Sequence, residues 1–205
     1  PVNRTAIANG LVERIGEPGG RVVHNQGSER HEQEDVVPDH AHALRLVYAM
    51  FKEAGLDLDT AGVAAVGHRV SHGGLTFRQP AVATDDVINE IKRLSTFAPL
   101  HNPANAMGIE AAKERFPSVP HVAVFDTGFF STLPESVTTV PIDQETARTY
   151  GIRRFGFHGT SHSYVSEQTA VFLGRDLTEL NTIVLHLGNG ASAAAVRGGL
   201  AEDIS

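Results

Sequence analysis

The run Ile152-Arg153-Arg154-Phe155-Gly156-Phe157-His158-Gly159-Thr160-Ser161-His162 concentrates groups that handle phosphate. Arginines and histidines supply charged or polar donors, hydroxyls add hydrogen bonds, and glycines let a backbone approach an anion closely. Thr160 or Ser161 is suited to cap the periodic segment that follows, so the run reads as a loop entering a helix. Helix starts favour anions because their first N–H groups are unpaired and lie at the positive end of the dipole. A polar loop with a good cap has the same composition, so this run alone leaves both readings open.

Further stretches carry related chemistry. Gly62 to Val66 reads as a short apolar strand running into Gly67-His68-Arg69-Val70-Ser71-His72-Gly73-Gly74. Arg and His at a strand's carboxyl end is how α/β proteins build sites, although a plain turn after a strand is the commoner reading of this stretch taken alone. In Phe97-Ala98-Pro99-Leu100-His101-Asn102-Pro103, Asn102 is expected to cap and Pro103 to open a helix reaching Arg115 or Phe116. That leaves His101 just ahead of a helix N-terminus. His121 to Thr127 reads as a buried strand ending in Asp126, which can orient a nucleophile, bind a metal or cap a turn. Finally, Gly188-Asn189-Gly190 joins two strand patterns. It is a hairpin turn first, and also a set of backbone N–H groups able to form an anion nest.

Composition narrows the options. The 205 residues carry a formal charge of −7, which disfavours a nucleic-acid or membrane-surface role. Cysteine is absent, excluding disulfides, thiol nucleophiles and thiolate metal sites. No signal peptide or membrane-length apolar run appears, so a cytoplasmic protein is expected. There is no P-loop, protein-kinase motif set, Gly-x-Ser-x-Gly elbow or His-Glu-x-x-His zinc motif. What remains suits phosphoryl transfer, which needs in-line positioning and donors to the transferring group more than covalent chemistry. Arg69 could grip a carboxylate or phosphate, His101 and His158 could donate to its oxygens, and Asp126 could orient the acceptor or Arg69.

The elements that must position these groups follow in order. The chain begins without an initiator Met, as if already within a strand or turn. Strands are expected near Ala6 to Ile15 and Arg21 to Asn25, joined through Gly16-Glu17-Pro18-Gly19-Gly20. Ser28 to Asp35 is charged and reads as a solvated loop. Asp39 caps a helix whose inner positions are Ala43, Leu44, Val47 and Phe51. Thr84 to Leu94 is helical, with Val87, Ile88 and Ile91 inward. Asp143 to Tyr150 is a short helix. Ser161 to Phe172 is amphipathic, with Tyr164, Val165 and Val171 as its inner face, and Gly174 ends it. Asn181 to Leu187 and a small-residue strand to Val196 complete the pattern, and the chain ends in what reads as mid-element. Prolines after Leu133 and Val140 suggest a domain change near Ser131. A faint repetition of strand, turn and helix patterns hints at a duplicated fold.

Together, Gly67-His68-Arg69-Val70, Pro99 to Pro103, Val124 to Thr127, Gly151 to His162 and His186 to Ser192 resemble, in that order, the acetate/propionate kinase family. Gly10 to Gly16 fits too, so the resemblance covers essentially the whole chain. It implies an α/β fold of ribonuclease-H-like domains, that of the acetate and sugar kinase, Hsp70 and actin superfamily. Two domains would flank a cleft: residues 1–130 the first, lacking its first strand, and 131–205 the start of a nucleotide-binding second. It also implies transfer of phosphoryl from ATP to acetate with Mg²⁺, in a homodimer. Carried over by motif, Asp126 is the catalytic carboxylate, Arg69 binds acetate or phosphoryl, and His158 stabilises the transition state with help from His101. His186, Leu187, Gly188, Asn189 and Gly190 form the ATP phosphate loop, and Leu100 and Phe157 line the acetyl pocket.

Departures from the family pattern matter as well. Ser71 stands where the family usually has Val in that pocket, which bears on acyl-chain choice. Gly128, Phe129 and Phe130 replace the usual Ala-Phe-His. A first strand bearing metal and phosphate groups, a second arginine and the adenosine pocket would lie outside the chain, which therefore reads as an internal fragment with impaired turnover. The metal ligands are expected mainly outside it. Propionate or butyrate kinase is the close alternative. A non-catalytic nucleotide-binding module of the actin/Hsp70 type would keep phosphate loops without needing Arg69 or the histidines. A purely structural α/β domain would use every His and Gly in turns and caps.

Overall fold

A computed structural model describes residues 6–205. The expectation that the chain begins within a strand or turn falls in part on residues 1–5, which lie outside the described residues. Backbone contacts gather the chain into two compact units: residues up to 66 together with 107–121, and residues 67–106 together with 122–205.

The first unit opens with a three-stranded antiparallel meander, β1 (Ala8–Glu13), β2 (Gly20–Gln26) and β3 (Glu29–Asp35), ordered β1-β2-β3. Its register pairs Val12 with Val22 and His24 with His31. Helix α1 (His40–Glu53) follows, with Asp39 Oδ1 accepting from the His42 N–H at 2.7 Å. Val22, Val37, Ala43 and Met50 form the core, with Val12, Ile15 and Leu46 against it. The inner face of α1 thus keeps Ala43 but takes Leu46 and Met50, a slight rotation from the expected stripe.

Strand β3 corrects the sequence reading, which makes Ser28 to Asp35 a loop. Most of its side chains are exposed, so no alternation marks it. Pairing with β2 supplies the order instead, and Arg21 reaches across to Glu32 at 2.6 Å. Arg21 and then Arg30 hold the Glu32 carboxyl down at about 2. A charged edge strand of this kind discourages pairing with another molecule.

In the second unit β4 (Val66–Val70), β5 (Ala81–Val82) and β6 (His121–Phe125) form a sheet ordered β4-β6-β5. The expected strand at Gly62 to Val66 therefore starts only at its last residue, because Gly62 turns with φ +70°. Arg69 consequently lies within the strand. Helix α2 (Asp85–Arg93) has Thr84 as cap and buries Ile88 and Ile91. Helix α3 (Asn102–Arg115) starts directly after His101, and its residues from Met107 onward are counted with the first unit. A 3₁₀ turn (Asp126–Phe130), α4 (Glu135–Thr138) and α5 (Gln144–Tyr150) lead to α6 (Gly159–Leu173).

A second antiparallel meander closes the unit: β7 (Asn181–Leu187), β8 (Ala191–Arg197) and β9 (Leu200–Ile204), ordered β7-β8-β9. Its inner face meets Phe130 and Leu133 in a core with Val184, Ala194, Val196, Ala201 and Ile204. The inner face of α6 is a second correction. Tyr164, Val165 and Val171 are exposed, whereas Gly159, His162, Ser166 and Ala170 are buried. Small and polar residues line the inward stripe because α6 lies almost against the backbone at Asp126: a Cβ at Gly159 would collide with the Asp126 carbonyl oxygen.

Candidate functional site

Within the second unit a cavity of about 670 Å³ collects side chains far apart in sequence. Arg69 comes from β4 and Ser71 from the residue that follows it, Leu100 and His101 from the turn before α3, and Asp126 from the first position after β6. Phe157, His158, His186, Asn189 and Gly190 also line it, while Leu187 and Gly188 do not reach it. Leu187 lies instead among the exposed apolar residues of β7.

Asp126 is fully buried and acts as the hub. Arg69 grips it from two nitrogens, with Nη2 at 2.6 Å and Nε at 3.1 Å from Oδ2. This pairing raises the Arg69 pKa still further, and the guanidinium remains half-exposed at the cavity. Asp126 also accepts from the backbone N–H of His158 at 3.2 Å and of Thr160 at 3.4 Å, and from the Thr160 hydroxyl. The carboxylate therefore serves as a long-range cap for α6, satisfying N–H groups that have no partner inside the helix. This corrects the expectation that Thr160 or Ser161 caps the helix. The cap position is His158, held at φ +58° with no cap bond from its own side chain. A left-handed histidine is strained, and such strain concentrates where a side chain must point one way.

His158, His162 and His186 form a cluster. The His158 and His186 rings stack at 4.1 Å. Ser192 Oγ lies 2.9 Å from His158 Nδ1 and 2.7 Å from His162 Nε2, and His186 Nδ1 lies 3.0 Å from Ser161 Oγ. Burial first, and then His186, pulls His158 below the usual histidine range, and the same causes lower His162. Both are therefore neutral donors or acceptors at neutral pH. Gly190 lets the turn between β7 and β8 approach this cluster, since a Cβ there would sit 3.0 Å from His158 Nε2.

Other expected groups have structural work. Arg154 donates to the Val137 carbonyl at 2.6 Å and the Ile204 carbonyl at 2.5 Å, so it is spent on backbone rather than directed to a ligand. Asn102 does not cap α3 with its side chain. Its Oδ1 accepts from the His72 N–H at 3.1 Å and its Nδ2 donates to the His72 carbonyl at 3.0 Å, clamping the residue after Ser71. The sequence reading did not foresee the roles of Asn102, Ser192 or buried His162. Only the His158–His162 spacing of one helical turn hinted at a shared face.

His72 also lies beneath the cavity's aromatic wall, stacked on Phe97 at 5.2 Å and edge-on to Phe155 at 4.5 Å. It is 2% exposed, and burial pushes its pKa from 6.5 down to about 4. The folded chain thus binds fewer protons than the unfolded chain between these values. Its contribution is complete above pH 6.5 and is lost as pH falls toward 4, about 3 kcal/mol in all. Urea unfolding from pH 7.5 to 4 is expected to show a shallower acid limb for His72→Phe than for the parent. Parallel acid limbs would remove His72 from the account.

A family model described as the acetokinase family matches residues 1–205. The chain belongs to the acetokinase family. It is 52% identical to an acetate kinase of Streptomyces griseus, with 99% of this chain and 50% of that protein covered. It is 54% identical to one of Streptomyces avermitilis, covering 97% and 50%. The α/β fold is likewise that of solved acetokinases. An acetate kinase of Porphyromonas gingivalis matches with TM-score 0.87 at 37% identity, over 98% of this chain and 51% of that one. A propionate kinase of Francisella tularensis gives 0.87 at 36%, with the same coverage. The chain spans about half the length of the curated relatives it matches.

Family membership raises the question of Mg²⁺. Among the described residues no group of three or more His, Asp or Glu side chains is placed to hold a metal ion. Asp126, the buried carboxylate of the cavity, is already committed to Arg69, Thr160 and the α6 backbone. These side chains alone do not fit an octahedral oxygen shell, so no step below runs through a metal.

Proposed function

We propose that the protein carrying this chain transfers the terminal phosphoryl group of ATP to acetate, giving acetyl phosphate and ADP in one in-line step. A carboxylate oxygen attacks the γ-phosphorus, the bond to the bridging oxygen breaks, and ADP leaves with that electron pair. No proton need move. The observation that carries this reading is Arg69, locked by buried Asp126 and presented beside His158 in one cavity. A fixed guanidinium suits a carboxylate or transferring phosphoryl group, and neutral His158 with His101 suits equatorial oxygens. Exposed Leu100 and Phe157 at the cavity wall suit a methyl group, and His186 with the turn Leu187-Gly188-Asn189-Gly190 suits nucleotide phosphates.

Several finer points belong to the same proposal. Mg²⁺ enters as the ion that accompanies ATP. The division into ribonuclease-H-like domains near Ser131, a homodimeric assembly and a cytoplasmic location are part of it. Among the described residues no helix is long and apolar enough to cross a membrane. Propionate is the second acceptor to consider, because Ser71 lines the cavity and the solved propionate kinase is as similar in fold as the acetate kinase.

The test is ADP release from Mg²⁺-ATP with acetate, propionate, butyrate or no acid. It is run on the 205 residues and on a chain carrying them in the frame of a full-length relative. Acid-dependent release that falls about 100-fold in Arg69→Ala is expected in the full-length frame, the scale of losing one preorganised donor. Release independent of any acid, or none in that frame, would point to a nucleotide-binding module instead.

A further inference from the structure

We infer that buried His162 and Ser192 form a relay that fixes His158 as its Nε2–H tautomer, so that a neutral N–H donor faces the cavity. The geometry needed is a hydroxyl shared by two imidazoles, with Ser192 Oγ 2.9 Å from His158 Nδ1 and 2.7 Å from His162 Nε2. Its direction is set at the buried end.

His162 is fully buried, and its Nδ1 has no hydrogen-bond partner among the described residues. The neutral ring carries one proton. Placed on Nδ1, that proton would create a buried N–H with nothing to donate to, which native structures rarely tolerate. Placed on Nε2, it is donated to Ser192 Oγ, and the unpartnered atom is only a bare lone pair. Ser192 then accepts from His162 and has a single hydrogen left to donate. Among the described residues the two imidazoles are the only partners of Ser192 Oγ, so His158 Nδ1 is the one acceptor left for that hydrogen. A nitrogen that accepts is unprotonated, so the His158 proton must sit on Nε2, beside Gly190.

The surrounding groups are compatible with this direction. His186 stacks on the His158 ring, and its own Nδ1 is taken up with Ser161 Oγ, so it does not compete for His158 Nδ1. Arg69, Asp126, His101 and His186 are the ionisable groups acting on His158, and with burial their net effect favours the neutral ring. The use of the N–H in phosphoryl transfer rests on the function proposed above, whereas the tautomer does not. His162 and Ser192 act through His158 and are positioning residues.

The test is long-range ¹⁵N–¹H correlation NMR on the ¹⁵N-histidine-labelled chain at pH 7.5 without ligand, with His158 assigned by loss of its signals in His158→Asn. The parent is expected to show His158 Nδ1 at an unprotonated shift and Nε2 at a protonated one. Ser192→Ala, and separately His162→Phe, should move both toward the average of a tautomer mixture. A His158 protonated at Nδ1 in the parent overturns the relay, as does an unchanged tautomer in the variants. The parent spectrum decides even where a variant fails to fold. No turnover is needed, so loss of the kinase reading would leave this result standing, and the reverse holds too.

Discussion

Asp126→Asn is expected to destabilise the chain by about 3 kcal/mol, a loss visible as a lower urea midpoint with an unchanged slope. Every hydrogen bond at the buried carboxylate points inward. One oxygen accepts from Arg69, from the Thr160 hydroxyl and more weakly from the Thr160 N–H; the other accepts from Arg69 and from the His158 N–H. Whichever oxygen becomes NH₂, it faces donors with a donor. The lower end of the range for a broken buried pair applies because the Arg69 side chain is 57% exposed and can be rehydrated. Amide exchange at His158 to Thr160 should rise with it, since the helix loses its long-range cap. In the full-length frame, acid-dependent ADP release should fall at least about 100-fold as Arg69 loses its anchor. A midpoint within about 0.5 kcal/mol of the parent would mean that Asp126 does not hold the start of α6.

The second large effect is opposite in sign to what local sequence preference suggests. Alanine favours a helix over glycine by about 1 kcal/mol, so Gly159→Ala at the start of α6 should stabilise on propensity alone. Instead it is expected to cost about 3 kcal/mol or more. The new Cβ would collide with the Asp126 carbonyl oxygen and lie 2.7 Å from Phe129 Cβ. Neither obstacle can rotate away, so α6 must retreat from the Asp126–Phe130 turn and give up the His158 and Thr160 bonds. Gly108 in α3 is the internal control, because a Cβ there meets nothing within 4 Å. Gly108→Ala should raise the urea midpoint by roughly 0.5–1 kcal/mol of stability. Equal responses of the two variants would refute the close approach of α6 to Asp126.

Much of the local structure was legible because its causes are local. Asp39, Thr84 and Asp143 each accept the backbone bond that starts α1, α2 and α5. Gly174 ends α6 with the left-handed φ of +61° that its type favours. The apolar stripe of α2 and the β-branched run of β7 follow ordinary periodicity. The order of the motifs around Arg69, His101, Asp126, His158 and His186 was likewise enough to identify the acetokinase family.

The rest depended on partners distant in sequence. β3 shows no alternation because its order comes from backbone pairing to β2, which charged exposed side chains do not advertise. The inner stripe of α6 was misread because apolar periodicity measures burial of large side chains. Close approach to another backbone selects Gly159, His162, Ser166 and Ala170 instead. Arg69 and Asp126 are 57 positions apart, and His162 and Ser192 are 30 apart. Sequence determined which donors, acceptors and turns were available, since those are properties of single residues and short spans. Tertiary structure decided which donor met which acceptor, because a buried hydrogen bond is set by where the packed elements leave each polar atom.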